Sequence, residues 1–172
     1  MRVFTIGHGR RRADELVQML LGAGIATLVD VRRFPSSRRN PQFNAAALSE
    51  TLTDAGIAYV HSVELGGRRT GEPGEEAFTC IREPAFRSYA ARMRRDEWQQ
   101  ALAAALEQPA PAFMCAETLW WRCHRKLIAE LLVARGHEVV HLLRPRETAI
   151  HRLSQEASVR NGMLFLCGSE VA

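Results

Sequence analysis

Strand-like and helix-like segments alternate along most of the chain, and this alternation is the feature that most restricts its fold. Short apolar runs predict five strands, at residues 2–8, 27–31, 57–60, 111–115 and 138–143. Apolar residues at helical spacing predict helices between them, over residues 14–22, 45–55, 85–107 (with a break near Asp96) and 122–135. Strands that alternate with helices form βαβ units. We therefore expect an α/β three-layer sandwich with a mostly parallel sheet of about five strands flanked by helices.

The end of the chain departs from this alternation. We expect a short helix in the tail that begins at Glu147, and a late edge strand at residues 163–167. The chain has 172 residues and no internal repeat or linker. This length predicts a single domain. The glycine-rich stretch from Leu65 to Glu76 is expected to be a loop with a functional role.

No apolar run is long enough to span a bilayer, and residues 1–6 lack the features of a signal peptide. We therefore expect a cytoplasmic protein without a membrane partner. Proteins of a reducing compartment keep their cysteines as thiols. The simplest expectation is thus that all four cysteines are free, above all Cys80 and Cys167.

Arginine supplies nearly all of the positive charge, with 22 arginines against the single Lys126, and the formal net charge is +4. Many of these arginines fall in or near predicted loops, at positions 10–12, 32–33, 38–39, 68–69, 122 and 125. Guanidinium groups bind carboxylates and phosphates through two parallel hydrogen bonds. The placement therefore predicts an anionic small molecule or a nucleic acid as the partner.

Chemically distinctive side chains lie where the predicted strands end. Sites in open α/β sheets form outside the carboxyl ends of the strands, so we expect these side chains to meet at one basic crevice. The residues expected to react are His8, Asp30, Cys115, Glu117 and Cys123. The residues expected to bind the ligand are Arg32, Arg38, Gly66, Gly67, Trp121, His124 and Arg125. The helix that begins near Arg122 presents its N-terminal amides to an anion, and the same field favours ionisation of Cys123.

These residues also occur in the order seen in a known family, and the sequence resembles the DUF488 proteins of bacteria and archaea. The resemblance covers roughly residues 3–143, which implies a core at about these residues and a C-terminal extension at 144–172. Its motifs are Thr5-Ile6-Gly7-His8, Asp30-Val31-Arg32, Phe34-Pro35-Ser36, Asn40-Pro41-Gln42-Phe43, Leu65-Gly66-Gly67, Cys115-Ala116-Glu117 and Cys123-His124-Arg125. The chain departs from the family at Gly9, where serine is frequent, and at Trp120-Trp121. The family's function is unknown, so the resemblance implies a fold and a residue set but no reaction.

The leading interpretation is an enzyme or binding domain for a phosphorylated ligand, either a nucleotide or a nucleic acid. Trp120 and Trp121 can stack on a base, and His8, Glu117 or Asp30 can act as general acid or base. The structural alternative is that Asp30 pairs with an arginine and that the tryptophans pack into the core.

Three other classes of site stay open, besides a non-catalytic interaction domain. Cys115 and Cys123 can serve as nucleophile and resolving thiol, although six residues separate Cys115 from Arg122 where a phosphatase loop has five. With His124 and His8 the same cysteines offer zinc ligands, at a cysteine spacing that is not standard.

A dinucleotide site would use Gly7-His8-Gly9 and Asp30, but Arg12 replaces the third glycine of that fingerprint. The sequence thus assigns no metal and no cofactor. His61, His137 and His141 are expected to be structural or solvated.

Overall fold

The computed structural model describes residues 1–172, and a six-stranded sheet lies at its centre. Its strands are β1 (Arg2–Gly7), β2 (Thr27–Asp30), β3 (Ala58–His61), β4 (Pro111–Cys115), β5 (Glu138–Arg144) and β6 (Glu147–Ile150). The strand order is β3-β2-β4-β1-β5-β6. The first five strands are parallel to their neighbours, and β6 runs antiparallel to β5. The expected α/β fold with a mostly parallel sheet is confirmed.

Five α-helices cover the two faces of this sheet. They are α1 (Ala13–Gly22), α2 (Ala45–Asp54), α3 (Pro84–Arg92), α4 (Asp96–Leu106) and α5 (Arg125–Ala134). The buried apolar side chains of α1 and α2 form one cluster with one face of the sheet. Those of α3, α4 and α5 form a second cluster with the other face. Alternation along β4 places Cys115 in the second cluster, beneath the start of α5.

The end of the chain differs from the sequence expectation. No helix follows Glu147, because the chain there forms β6 and then a separate antiparallel sheet of β7 (Ala157–Arg160), β8 (Met163–Leu166) and β9 (Ser169–Glu170). The strand predicted at residues 163–167 exists as β8, but it is the middle strand of that sheet and not an edge strand. The apolar residues Leu164 and Leu166 alternate with less buried neighbours and pack into the cluster around α5.

Two helix boundaries matter for the comparison with the sequence. The predicted region 85–107 is two helices separated by residues 93–95, and the second begins at Asp96, so the predicted break is confirmed. The helix predicted from Arg122 begins at Arg125, and a short 3-10 turn at Trp120–Arg122 precedes it. Cys123 therefore lies between the turn and the helix.

Cys80 and Cys167 are joined by a disulfide, so the expectation of free thiols is wrong for these two residues. Their Cα atoms are 5.5 Å apart, although 87 positions separate them in the sequence. The bond connects the segment before α3 to the residue that follows β8. Cys115 and Cys123 are free. No helix in the structure combines the length and the apolar character needed to cross a membrane.

Candidate functional site

A cavity of about 1290 Å³ opens where β1, β2 and β4 end. Its walls include six arginines and only two carboxylates. The arginines are Arg10, Arg32, Arg33, Arg39, Arg68 and Arg122, and the carboxylates are Glu83 and Glu117. With this excess of guanidinium groups, the cavity is strongly electropositive.

Two cysteine thiols lie together on the cavity wall. Cys115 is the last residue of β4, and one residue, His124, separates Cys123 from the start of α5. Both cysteines line the cavity. Their Sγ atoms are 2.7 Å apart without being joined in a disulfide. Cys115 is 3% exposed and Cys123 is 6% exposed. A parallel sheet and the turn before a helix thus bring together two sulfurs that are eight positions apart in the sequence.

Arg125 holds this thiol pair from the protein interior. Its side chain is 1% exposed, and its Nε donates a hydrogen bond to Cys115 Sγ at 3.0 Å. Its Nη2 donates to the carbonyl oxygen of Glu117. Its backbone N–H, in the first turn of α5, points to Cys123 Sγ at 3.5 Å. A buried cation and the start of a helix therefore face the two sulfurs.

The two thiols have pKa values that move in opposite directions. Burial raises the pKa of the Cys115 thiol well above its ordinary value, and its hydrogen bond with Cys123 adds to that effect. Burial also opposes ionisation of Cys123, but the hydrogen bond from Cys115 and the charges of His124 and Arg125 outweigh it. The pKa of Cys123 is therefore well below its ordinary value. These opposite shifts favour ionisation of Cys123 over ionisation of Cys115, with Cys115 as donor in the hydrogen bond between the two sulfurs.

His124 is fixed beside this thiolate by two contacts. Its Nε2 donates to the carbonyl oxygen of Val31 at 3.0 Å, and its Nδ1 lies 3.5 Å from Cys123 Sγ. Gly67 leaves space for the ring, because a Cβ at that position would lie 2.5 Å from His124 Nδ1. Gly67 is thus a position where any side chain would displace a residue that contacts the thiol.

Arg32 and Asp30 form a buried ion pair next to the thiols. Asp30 is fully buried, and it accepts hydrogen bonds from Arg32 Nε at 2.8 Å and from Tyr59 Oη at 2.8 Å. Arg32 Nη1 lies 3.2 Å from His8 Nε2, and His8 Nδ1 lies 2.9 Å from the carbonyl oxygen of Gly9. Because guanidinium only donates, Nε2 accepts and Nδ1 carries the proton. Burial, first of all, lowers the pKa of His8 to about 4, so this ring is neutral at pH 7.

Most of the predicted site residues converge as expected. Those on the cavity wall are His8, Arg32, Gly67, Cys115, Glu117, Trp121, Cys123 and His124. The remaining four are not on it. Asp30 lies behind Arg32 and Arg125 lies behind Cys115, whereas Gly66 packs against the backbone of Val63 and Arg33. Arg38 is exposed outside the cavity, and its neighbour Arg39 lines it instead.

The structure bears on residues of two of the alternative sites. The oxygens of Asp30, the acid of the possible dinucleotide site, are occupied by Arg32 and Tyr59. The structure contains no group of three or more His, Cys, Asp or Glu side chains arranged to hold a metal ion.

The two tryptophans have different environments. Trp121 is 47% exposed and lines the cavity. Trp120 is not on the cavity wall and stacks on the buried ring of His141, with centroids 4.3 Å apart. Only Trp121 therefore lies where a base in the cavity can stack on it, and Trp120 packs on an interior side chain instead.

The cavity wall also contains residues that were not assigned to the site individually. They are Arg33, Phe34, Arg39, Arg68 and Arg122. The four arginines belong to the loop arginines from which an anionic partner was predicted, and Phe34 belongs to one of the family motifs. Thr5 and His141, which extend the site inward, were not assigned to it because they are interior residues of two strands.

Together the fold and the site define a class: an α/β protein with an electropositive cavity at the carboxyl ends of its parallel strands and a pair of free thiols on the cavity wall. The family profile described as domain of unknown function DUF488 matches residues 12–132. This chain therefore belongs to the DUF488 family, as its motifs indicated. Comparisons with curated proteins and with solved structures found no match.

Proposed function

We propose that the cavity binds a phosphorylated ligand, either a nucleotide or a segment of nucleic acid. The observation that carries the proposal is the lining of one cavity by six guanidinium groups against two carboxylates. Arg32 is held rigidly by Asp30, so its orientation towards the cavity is set before any ligand arrives. Guanidinium groups bind phosphate through charge-assisted hydrogen bonds, and a group whose orientation is already fixed loses little entropy on binding.

Exposed aromatic rings at the cavity favour a ligand that also carries a base. Phe34 is 61% exposed and Trp121 is 47% exposed, and both line the cavity. The guanidinium of Arg33 lies 5.0 Å from the centroid of the Phe34 ring. Bases stack on aromatic side chains with roughly 1–3 kcal/mol of favourable free energy each. Phosphate and base would thus be recognised by neighbouring parts of the same wall.

Titration calorimetry at low salt, with a panel of nucleotides and short single-stranded oligonucleotides, tests this function. The variant R39Q/R68Q removes two exposed cations of the cavity and is expected to weaken binding at least about tenfold. The control R2Q removes an exposed arginine at the opposite end of β1, where it pairs with Glu138, and is expected to bind as the wild type does. Absence of binding by the wild type, or equal weakening in R2Q, would refute the proposal.

A second candidate is cysteine chemistry, which the 2.7 Å separation of Cys115 and Cys123 favours. In this candidate Cys123 is the nucleophile, because its thiolate lies at the start of α5 beside His124 and Arg125. Cys115 is the resolving thiol, since its sulfur is already within reach of Cys123. The electropositive wall would then select an electrophilic substrate that carries negative charge.

Alkylation rates measured against pH test this second candidate. Neutral iodoacetamide reports the thiolate fraction, and iodoacetate in addition reports attraction of an anion by the cavity. We expect modification at Cys123, an apparent pKa below the ordinary value of about 8.5, and a preference for iodoacetate over iodoacetamide compared with a free thiol. The variants C123S and C115S assign the signal. A thiol that titrates near about 8.5 would contradict an activated nucleophile.

A further inference from the structure

A chain of buried polar side chains leads from the thiol pair into the protein interior. Arg125 Nη1 donates to Thr5 Oγ1 at 3.3 Å, and Thr5 Oγ1 lies 2.7 Å from His141 Nδ1. His141 Nε2 lies 3.0 Å from His151 Nδ1. His151 Nε2 faces Glu130 Oε2 at 3.6 Å, which is longer than a hydrogen bond, so this last contact is electrostatic. All five residues are less than one-tenth exposed. Buried polar groups are costly unless they are paired, and here three hydrogen-bond contacts and one electrostatic contact pair them.

The carboxylate of Glu130 favours one arrangement of the protons in this series. Because Glu130 faces His151 Nε2, the proton of His151 is favoured on Nε2, and its Nδ1 then accepts from His141 Nε2. His141 Nδ1 in turn accepts from the hydroxyl of Thr5, whose oxygen accepts from Arg125 Nη1. Arg125 can only donate, so this arrangement is compatible with both ends of the series.

The surroundings of His141 support this arrangement. Burial is the first cause that lowers the pKa of His141, to about 3, so the ring stays neutral and Nδ1 remains free to accept. The ring is stacked on Trp120 with an interplanar angle of 6°, and Thr5 is its direct partner in the β1–β5 register. Glu130 accepts two contacts from the backbone N–H of Ser154, which hold the carboxylate in place.

We propose that Thr5, His141, His151 and Glu130 are positioning residues that hold Arg125 against Cys115 and so set the reactivity of the thiol pair. This inference rests on the second candidate function, cysteine chemistry. Arg125 has three side-chain contacts, to Cys115, Thr5 and the carbonyl of Glu117. Loss of the Thr5 contact leaves a buried guanidinium with one unpaired Nη1, which is free to turn away from the sulfurs. The thiolate would then lose the nearest fixed positive charge.

Two variants of Thr5 separate positioning from packing. T5V keeps the shape but lacks the hydroxyl, whereas T5S keeps the hydroxyl and loses a methyl group. We measure iodoacetamide alkylation of Cys123 against pH, with the modified residue identified by mass spectrometry. T5V is expected to raise the apparent pKa of the reactive thiol and to slow alkylation at pH 7 by about threefold to tenfold, because one pKa unit changes the thiolate fraction tenfold. T5S is expected to be alkylated at a rate within about twofold of the wild-type rate.

A second variant keeps the test decisive if T5V does not fold. H141F preserves a ring that can stack on Trp120 but removes both ring nitrogens, so it interrupts the chain one step further from Arg125. It is expected to shift the alkylation profile in the same direction as T5V. Wild-type profiles in a folded T5V or H141F would overturn the inference. A wild-type thiol with an ordinary pKa would instead refute the second candidate itself, so the two failures are distinguishable.

Discussion

Substitution of Gly7 by alanine tests how closely the end of β1 approaches the loop that carries the site. A Cβ at Gly7 would lie 2.0 Å from the carbonyl oxygen of Glu117, 2.7 Å from its carbonyl carbon and 2.8 Å from the Cα of Thr118. All three atoms belong to the backbone, so no side-chain rotation can relieve the overlap. The same carbonyl oxygen accepts a hydrogen bond from the buried Arg125. The substitution therefore strains the loop and disturbs the cation next to the thiols.

The expected cost follows from these distances. An ordinary contact begins at 3.4 Å, so the loop must move away from the 2.0 Å overlap by about 1.4 Å. Overpacking of a close-packed interior costs about 1–3 kcal/mol, and a weakened hydrogen bond from a charged donor adds about 1.5 kcal/mol or more. We expect the free energy of unfolding of G7A to fall by about 3 kcal/mol, which lowers Tm by about 6–12 °C in a protein of this size.

Thermal unfolding followed by circular dichroism measures this loss, with G22A as the matched control. Gly22 is the last residue of α1, and a Cβ there meets nothing within 4 Å. G22A is expected to leave stability unchanged or to raise it by up to about 1 kcal/mol, because alanine favours a helix over glycine. If G7A and G22A have the same Tm, the loop after β4 does not pack against β1 as described.

Three further predictions concern the disulfide, the buried histidines and Gly67. The double variant C80S/C167S is expected to lose about 2–4 kcal/mol of stability; a reductant should lower the Tm of the wild type but not of the variant, and equal sensitivity of both would contradict the bond. Because burial is the first cause that lowers the pKa of His141, to about 3, the unfolded chain binds more protons below about pH 6.5. The stability that neutral His141 contributes above this pH is lost as the pH falls towards 3. The free energy of unfolding measured with urea should therefore decrease between pH 7 and pH 4.5 by about 2 kcal/mol more in the wild type than in H141F. Equal decreases in the two proteins would refute this. G67A places a Cβ 2.5 Å from His124 Nδ1 and is expected to cost about 1–3 kcal/mol and to slow alkylation of the thiols, whereas wild-type alkylation would show that His124 does not assist them.

Local sequence patterns were sufficient for the main elements of the fold. Alternating segments predicted all five parallel strands and the helices between them, because burial on both faces of a parallel sheet requires continuous apolar runs. The short helix predicted in the tail that begins at Glu147 is wrong, whereas the strand predicted at residues 163–167 exists as β8. The short strands of the tail, β6 to β9, are connected by turns at Arg146, Asn161 and Cys167, whose positive φ angles are rare for residues other than glycine. Asn161-Gly162 does carry a sequence signature, since Asn-Gly between two short strands is typical of a two-residue hairpin, but arginine at 146 and cysteine at 167 give no such signal.

The candidate site could be predicted in part, since a rule of topology places the carboxyl ends of parallel strands on one side. That rule brought His8, Cys115 and Cys123 to one cavity. It could not decide which side chains face the cavity and which lie behind it. Asp30 and Arg125 were expected to face the ligand, but each instead supports a neighbour, Arg32 and Cys115 respectively.

The sequence by itself determined the α/β class, the order of the elements and the residue types gathered at one end of the sheet, because these depend on periodicity and on the handedness of βαβ units. Tertiary structure alone decided the 2.7 Å approach of Cys115 to Cys123 and the disulfide between Cys80 and Cys167. It also decided the series of buried side chains that links Arg125 to Glu130 through Thr5, His141 and His151. Each of these joins groups from separate elements. Their distances and protonation depend on packing within a few ångströms, which no local pattern along the chain encodes.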